Sequence, residues 1–272
     1  MLGRVLTVGA DGVPSNADRG NQLSVAIAAH VVEALHLETI DERRAGQTLG
    51  GRFEQAVAGF VEQTFLRLDM LRPGAWSVLN IGSSRASNRL SAYEPYRHLA
   101  ELDEALSRDP SIRTVIGNAY MISPDILVVR QPESDQSINC LDWLVDHSFA
   151  QHSPIRMDSP SGSAMLHAVI SCKWTMRSDR AQNARSEALN LIRNRKGRAP
   201  HIAVVTAEPL PSRISSLALG TGDIDCVYHF ALNELVAAVS DLGSDDSREL
   251  LQIMIEGQRL KDISDLPLDL TI

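Results

Sequence analysis

Residues 167–187, HAVISCKWTMRSDRAQNARSE, combine a strand pattern with a helix pattern and form the central unit of the predicted fold. Over residues 166–174 the side chains alternate with a period of two, as they do in a β-strand. One predicted face holds Val169, Ser171 and Lys173, and the other holds Ala168, Ile170 and Cys172. The pattern predicts a buried strand with one chemical face and one core face.

A helix is expected directly after this strand. Ser178 or Asp179 can accept the first free amide protons of a helix, and Gln182 stands three residues after Asp179, where a capping-box partner belongs. The expected apolar stripe consists of Ala184, Ala188, Leu191 and Ile192. Gly197 and Pro200 mark the end of the helix.

The apolar run at residues 202–206 is expected to be the next buried strand. Strand, helix and strand form a crossover unit, which predicts two parallel strands joined by a right-handed connection. Further strands are predicted at residues 76–81, 126–129 and 225–231, with one short strand within 140–145. Helices are predicted at residues 21–37, 53–68, 95–107, 233–242 and 246–255, and residues 209–213 are predicted to be a loop. The first helix is capped by Asn21, and its expected buried side is Val25, Ala28, Ala29, Val32 and Leu35.

Composition bounds the classes of function. The 272 residues can bury a full core, so we expect one α/β domain over residues 1–272. A net charge of −8 argues against nucleic acid as a partner, unless the charge is segregated. Residues 173–198 contain eight basic and two acidic side chains, whereas the last thirty residues contain seven acidic and three basic ones. A basic strip on an acidic body is expected of a DNA cleft, although a solvated helix face gives the same pattern.

The cysteines indicate a compartment. Cys140, Cys172 and Cys226 are scattered, without a Cys-x-x-Cys pair or a secretory leader. They fit a reducing cytoplasm and argue against a zinc site. No apolar run has the length needed to span a bilayer, so no membrane association is expected.

Asp125 is the first candidate for chemistry. It follows Pro124 and opens the apolar strand at 126–129, and Lys173 follows it by 48 residues on another buried strand. A Pro-Asp dipeptide is usually only a turn. Two adjacent strands, however, can bring Asp125 and Lys173 to the same edge of a sheet, which makes the pair a candidate active site.

Together these residues resemble the signature of type II restriction endonucleases that cut CCGG-containing sites, within the PD-(D/E)xK nuclease superfamily. The resemblance rests on Pro124-Asp125, Ser171-Cys172-Lys173, Arg177-Ser178-Asp179-Arg180 and Glu187, and it extends from about residue 13 to the C-terminus. It includes residues 204–209 (VVTAEP) and 260–267 (LKDISDLP). The resemblance implies a restriction-endonuclease-like core: a central mixed β-sheet flanked by helices, with the active site at one sheet edge.

The resemblance also implies Mg²⁺-dependent phosphodiester hydrolysis without a nucleotide cofactor. Asp125 would be the bridging ligand, Glu187 the second carboxylate, and the main-chain carbonyl of Cys172 a further ligand. Lys173 would orient or deprotonate the attacking water and stabilise negative charge. The superfamily usually places its second acid two residues before the lysine, where this chain has Ser171, and Glu187 replaces it. Glu54 matches a family acid near the active site, although the helix dipole also favours an acid in a first helical turn.

The implied recognition of DNA follows the donor and acceptor patterns of the bases. Arg177, Asp179 and Arg180 can read two C·G pairs from the major groove, which in a symmetric dimer gives CCGG. Asp18 and Arg213 match family residues that read the outer pair, and Gln47 matches one that approaches the minor groove. These matches imply cleavage at G/CCGGC with 5′ overhangs and 5′-phosphates. Gly20 stands where the family has a serine, so that contact is missing here. The resemblance further implies a homotetramer, built as a dimer of dimers, that belongs to a restriction-modification system.

Plainer interpretations stay open for each residue. Asp179 could only cap its helix, and Arg180 could only bind phosphate. In the same way, Asp18 could be a turn carboxylate, Gln47 a loop amide and Arg213 a surface arginine. A catalytically inactive DNA-binding protein stays open, and so do two other enzyme functions. One is a repair or recombination nuclease of the same fold, or one with another CCGG-containing site. The other is a hydrolase in which Lys173 activates Ser171.

Overall fold

One six-stranded mixed sheet runs through the computed structural model, which describes residues 5–36, 46–82, 89–109, 124–220 and 222–272. The strands lie side by side in chain order: β1 (Trp76–Asn80), β2 (Ile126–Arg130), β3 (Met165–Lys173), β4 (His201–Thr206), β5 (Cys226–His229) and β6 (Leu260–Asp262). β1, β2 and β3 pair antiparallel, whereas β3 to β6 are parallel. The expected α/β fold with a central mixed sheet is confirmed.

Helices surround this sheet. Within the described residues they are α1 (Gln22–Ala34), α2 (Gly46–Phe65), α3 (His98–Arg108), α4 (Asp135–Ile138), α5 (Ser178–Asn194), α6 (Pro211–Ala218), α7 (Leu232–Leu242), α8 (Asp245–Glu256) and α9 (Leu266–Asp269). α2 packs against β1 and β3, α1 against α7, and α6 against α8. Of the helices in the described ranges, none has the length and apolar character to cross a membrane.

The predicted crossover unit is β3, α5 and β4. The two strands are parallel, with Ser171 opposite Val204 and Lys173 opposite Thr206. Ser171 and Lys173 lie on one face of β3 as expected, but this face is buried like the other from Ala168 to Cys172. Parallel strands are covered by helices on both sides, and of the β3 residues only Met165, His167 and Lys173 are partly exposed.

The start of α5 differs from the capping prediction. The N-cap is Arg177, in extended conformation (φ −83°, ψ 160°), and its side chain makes no capping hydrogen bond. Ser178 and Asp179 are already helical, so the prediction that one of them caps the helix is wrong. Asp179 lies in the first turn, where the helix dipole favours a negative charge.

The first helix begins as predicted. The side-chain oxygen of Asn21 accepts a hydrogen bond from the amide of Ser24 at 3.1 Å and caps α1. The buried positions of α1 are Ser24, Ile27, Ala28, Val31 and Val32. The prediction for Ala29 is wrong because this residue is exposed. The buried stripe of α1 begins at Ser24, one residue before the predicted start at Val25, so it is shifted by one position along the helix.

α2 begins at Gly46, seven residues before the predicted start at Phe53. Glu54 therefore lies in the third turn, and the expected dipole effect of a first-turn acid does not apply to it. Buried apolar side chains hold this helix in place: Phe53, Val57 and Val61 are 0% exposed, and Phe65 is 2% exposed. Phe53 packs edge-on against Trp174, with ring centroids 5.1 Å apart. Full burial of a phenylalanine contributes about 1.5–3 kcal/mol, so this contact fixes the helix beside the end of β3.

Two other local predictions are wrong. Residues 209–213 are not all loop, because Pro211 is the first residue of α6, a position that suits its fixed φ and missing N–H. Arg213 consequently lies in the first turn of α6. No strand occurs within residues 140–145, where Leu141 and Trp143 are 91% and 73% exposed. The alternation of apolar residues is present in this segment, but within the described part of the chain the segment pairs with no neighbouring strand.

Candidate active site

Asp125 and Lys173 meet at the end of the sheet where β3, β4 and β5 terminate. Asp125 directly precedes β2, whose first residue, Ile126, pairs with Ile170 of β3. The Asp125 Oδ2 atom lies 3.6 Å from Lys173 Nζ, and both side chains are about 15% exposed. The amide of Cys172 donates a hydrogen bond to the same Oδ2 at 2.6 Å. The structure thus brings together the aspartate and the lysine that the sequence paired.

Ser171 and Glu187 extend this group. Glu187 lies on α5, and its Oε2 accepts a hydrogen bond from Ser171 Oγ at 3.1 Å. Lys173 Nζ donates to the same hydroxyl oxygen at 3.4 Å. Burial raises the pKa of Glu187, and so does the charge of Asp125, whereas Lys173 and the Ser171 hydrogen bond lower it. Lysine, serine and glutamate form one connected chain of polar groups next to Asp125.

Glu54 reaches the same charges from α2. Burial, and then the negative charge of Asp125, raise the pKa of Glu54 to about 7, against the opposing effect of Lys173. Its Oε2 lies 4.0 Å from the place that a Cβ atom would take at Gly82, a residue that follows β1. The site therefore contains three carboxylates near a single lysine.

This group fits a hard divalent cation. Mg²⁺ prefers oxygen ligands, takes only one or two carboxylates from the protein, and keeps several waters. Among the residues that the structure describes, no three His, Cys, Asp or Glu side chains are grouped to hold a metal on their own. The expected set of two carboxylates and one carbonyl does not require such a group. Burial raises the pKa of the Cys172 thiol well above its usual value, which disfavours the thiolate, and the ligand expected from this residue is its main-chain carbonyl.

Arg177, Asp179 and Arg180 are exposed at the beginning of α5. Arg177 follows Lys173 by only four residues, so these side chains lie at the same end of the sheet as the catalytic candidates. Arg180 Nη1 donates to the hydroxyl of Thr175 at 3.1 Å. Within the described residues no carboxylate lies within 4.0 Å of a guanidinium nitrogen of Arg177 or Arg180, so both arginines keep free donors.

Asp18 and Arg213 form an ion pair, although 195 residues separate them in the chain. The hydrogen bond from Arg213, then the amide of Gly20, lower the pKa of Asp18, and the charge of Arg177 contributes. Asp18, Arg177 and Arg213 line one open recess. The structure thus places both residues expected to read the outer base pair beside the first residue expected to read the inner pairs.

Two further predicted positions can be located. Gln47 lies in the first turn of α2 rather than in a loop, and its side chain is outside the described part of the structure. Gly20 has room for a side chain, because an added Cβ would meet only Asp18 Oδ1, at 3.6 Å. The glycine is therefore not required by packing.

The basic residues of 173–198 do not form one strip. Lys173, Arg177 and Arg180 lie at the end of β3 that holds the candidate site. Lys196 and Arg198 line a recess with Leu166 and His167, at the beginning of the same strand. The seven residues from His167 to Lys173 span roughly 20 Å at about 3.3 Å per residue, so the segregated charge is divided between two places.

Glu208 is a further acidic residue at this end of the sheet that no sequence motif singled out. This residue follows β4 by two positions and is 0% exposed. An acidic residue directly after a continuous apolar strand, at the carboxyl end of a parallel sheet, was the signal that could have found it.

Known proteins match this chain over its whole length, including the residues of the candidate site. The family model of the NgoMIV restriction enzyme matches residues 1–272. The type II restriction enzyme NgoMIV of Neisseria gonorrhoeae is 51% identical over 270 residues, which cover 99% of this chain and 94% of that protein. The solved complex of the restriction endonuclease PspGI with substrate DNA covers 93% of this chain and 95% of its own, at 14% identity. Its TM-score of 0.27 is too low to support an argument about the fold.

Proposed function

Because this chain belongs to the NgoMIV restriction enzyme family, and is thus a type II site-specific deoxyribonuclease, we propose that it cleaves double-stranded DNA at GCCGGC. Cleavage falls before the first cytosine of each strand (G/CCGGC) and leaves 5′ overhangs with 5′-phosphates. The observation that carries the catalytic part is the convergence of Asp125, Lys173 and Glu187 at the end of β3.

The residues have distinct roles in the proposed mechanism. Asp125, Glu187 and the carbonyl of Cys172 would hold a divalent cation, which we take to be Mg²⁺. When bound, this ion neutralises charge on the scissile phosphate and assists the leaving oxygen. Lys173 directs its ammonium group at the attacking water and the developing negative charge.

Ser171 and Glu54 support these groups. The Ser171 hydroxyl accepts from Lys173 and donates to Glu187, so it fixes the lysine relative to the carboxylate across β3 and α5. Glu54 is the acid that supplies a further negative charge near Asp125 and Lys173. Above pH 7 it is ionised and favours the binding of a cation, whereas below pH 7 it is protonated and favours it less.

Recognition uses the exposed beginning of α5. Arginine bonds O6 and N7 of guanine and aspartate accepts from N4 of cytosine, so Arg177, Asp179 and Arg180 read the two inner pairs of each half-site. Asp18 and Arg213, which line the same recess as Arg177, read the outer pair. Gln47 is proposed to approach the minor groove, by its match to the family. A two-fold dimer then reads all six base pairs.

The proposed assembly is a homotetramer made from two dimers. Support comes from an apolar surface on residues 141–149, where Leu141, Trp143, Leu144 and Phe149 are all at least 65% exposed. Large apolar side chains grouped on one segment mark a surface that is covered by a partner. The three free cysteines, of which Cys172 and Cys226 are buried, fit the proposed cytoplasmic location.

The alternative Ser/Lys hydrolase has one observation in its favour, the 3.4 Å contact between Lys173 Nζ and Ser171 Oγ. In that reaction the lysine would have to take the hydroxyl proton of Ser171. Here the hydroxyl instead donates to Glu187, and the nucleophile is 7% exposed. Activity in chelator together with inactivation by serine reagents would favour the hydrolase.

The test is digestion of a plasmid that carries two GCCGGC sites, with Mg²⁺ and with chelator, beside the Asp125→Ala variant. We expect discrete fragments that end within the site, and we expect no cleavage in chelator or by the variant. Discrete fragments from another CCGG-centred site would overturn the roles of Asp18 and Arg213 but keep the catalytic assignments. Uniform degradation of the plasmid would favour a nuclease without fixed specificity, and no metal-dependent cleavage would reject the nuclease.

A further inference from the structure

Glu208 is a fully buried carboxylate that contacts two segments, the link before α5 and the start of α6. Its Oε2 accepts the amide proton of Met176 at 2.7 Å, and its Oε1 accepts that of Leu210 at 3.2 Å. Arg213 Nη1 lies 3.8 Å from Oε2. The amide of Glu208 itself donates to Thr206 Oγ1 at 3.1 Å, which ties the residue to the end of β4.

These segments are the ones that carry the proposed DNA-reading residues. Met176 directly precedes Arg177, and Leu210 is the N-cap of α6, which carries Arg213 in its first turn. Asp18 joins the group through its ion pair with Arg213. One carboxylate therefore connects the start of α5 with the start of α6.

The guanidinium of Arg213 is divided between two carboxylates. Its Nη2 bonds Asp18 Oδ2, which is partly exposed, while its Nη1 faces the buried Glu208. The partner on the solvent side can be exchanged for a base when DNA arrives. The buried partner, Glu208, is held by two backbone amides, so it favours one direction of approach for the arginine.

A purely structural role would not explain why this buried position is acidic. Burial raises the pKa of Glu208, and the Met176 amide, Arg213 and the Leu210 amide oppose that rise. Burying a carboxylate is costly unless it is paired and hydrogen-bonded, and an apolar side chain could fill the same volume at lower cost. The contacts that compensate for this cost all lead to the reading segments.

We infer that Glu208 is a positioning residue for sequence specificity, which sets the orientation of Arg213 relative to Arg177 and so the reading of the outer base pair. This inference rests on the proposed function of those arginines. It predicts that a change at Glu208 alters the preference for the base pair that flanks CCGG more than it alters the rate of bond cleavage.

The experiment uses a set of duplexes with the sequence NCCGGN, in which the outer base pair N is varied through all four possibilities. Cleavage of each duplex by the full-length protein is measured with Mg²⁺. The variants are Glu208→Gln, which keeps the shape but removes the charge, and Glu208→Asp, which keeps the charge. The matched control is Asp269→Asn, since Asp269 is a largely buried carboxylate bonded by Tyr228 at 2.7 Å and Lys261 at 2.6 Å, outside the reading segments. Thermal unfolding of each protein reports the structural cost separately.

For Glu208→Gln we expect roughly a tenfold loss in the ratio of kcat/KM between the preferred flank and the next best, carried by KM rather than kcat. Glu208→Asp should recover part of this preference. Asp269→Asn should lower the melting temperature and leave the preference unchanged. If Glu208→Gln does not fold, the intermediate preference expected of Glu208→Asp carries the test.

An unchanged flank preference in a folded Glu208 variant, or the same loss in Asp269→Asn, would overturn the inference. A wild-type protein that prefers a flank other than G·C would overturn GCCGGC alone, and flattening of that other preference by Glu208→Gln would still support the role of Glu208. A wild type that cuts no NCCGGN duplex would overturn the proposed function and this role with it.

Discussion

Replacing Glu54 by glutamine should make the metal-free protein more stable at alkaline pH. Burial and the charge of Asp125 raise the pKa of Glu54 from its ordinary value of 4.5 to about 7. Each tenfold change in acidity is worth about 1.36 kcal/mol, which bounds the cost of ionising Glu54 in the folded protein at about 3.4 kcal/mol. Because this side chain is only half-buried, solvent screening reduces the value, and we expect about 1–2 kcal/mol.

The sign follows from the proton balance. Between pH 4.5 and about 7 the folded protein keeps a proton on Glu54 that the unfolded chain has already released, so the folded state loses stability as pH rises through this window. Above pH 7 the loss is complete. Glutamine cannot ionise, so Glu54→Gln should gain the full amount at pH 8 and nearly nothing at pH 4.5.

The assay is thermal unfolding in chelator at pH 8 and at pH 4.5. A gain of about 1–2 kcal/mol corresponds to a rise in melting temperature of roughly 3–6 °C for a protein of this size. Glu62→Gln is the matched control, because Glu62 is exposed on the same helix, and its effect should stay within about 0.5 kcal/mol. A lower melting temperature of Glu54→Gln at pH 8, or an equal gain at both pH values, would refute the reasoning. The expected result would mean that this site keeps a charge at the expense of stability.

Three further changes test other parts of the structure. Lys173→Met should reduce cleavage by about 10²–10⁴-fold while duplex binding in Ca²⁺ remains, and a gel-shift assay beside single-turnover kinetics separates the two; loss of binding as well would contradict a catalytic role. Tyr96→Phe should cost about 1 kcal/mol in urea unfolding, because the buried hydroxyl donates to the Leu191 carbonyl at 2.9 Å, and an unchanged midpoint would show that this bond contributes nothing. Trp143→Ser should convert the proposed tetramer to dimers, measured by sedimentation with DNA present; a protein that is only monomer or dimer before the substitution would reject the tetramer itself.

The sequence predicts the sheet better than the ends of its helices. Alternating and continuous apolar patterns predicted β2, β3 and β4, because burial on one or both faces leaves a direct mark on the residues. The start of α2 could not be predicted, because Gly46, Gly50 and Gly51 read as a loop. The segment is helical nevertheless, and Leu49 within it is only 6% exposed. Tertiary packing here outweighs the low helix propensity of glycine.

The same contrast applies to the site. Asp125 and Lys173 could be paired because each lies at the end of a recognisable strand, and adjacent strands leave few arrangements. The contacts of Glu208 could not be derived, because Met176 is 32 residues away and the contact depends on how β3 and β4 end side by side. The ion pair of Asp18 with Arg213 has the same character. Its members were selected by resemblance alone, and no local pattern joins them.

The short link between β3 and α5 has a consequence for protein engineering. It is anchored on both sides: Trp174 donates its indole N–H to the Ser15 carbonyl at 3.1 Å, and Met176 is bonded to Glu208. With Lys173 before the link and Arg177 after it, the proposed roles of these residues imply that this one connector sets the offset between the bond that is cut and the bases that are read. Specificity and cut position cannot then be exchanged as independent modules. A variant library for new targets should keep the length of this connector and vary only the side chains beyond it.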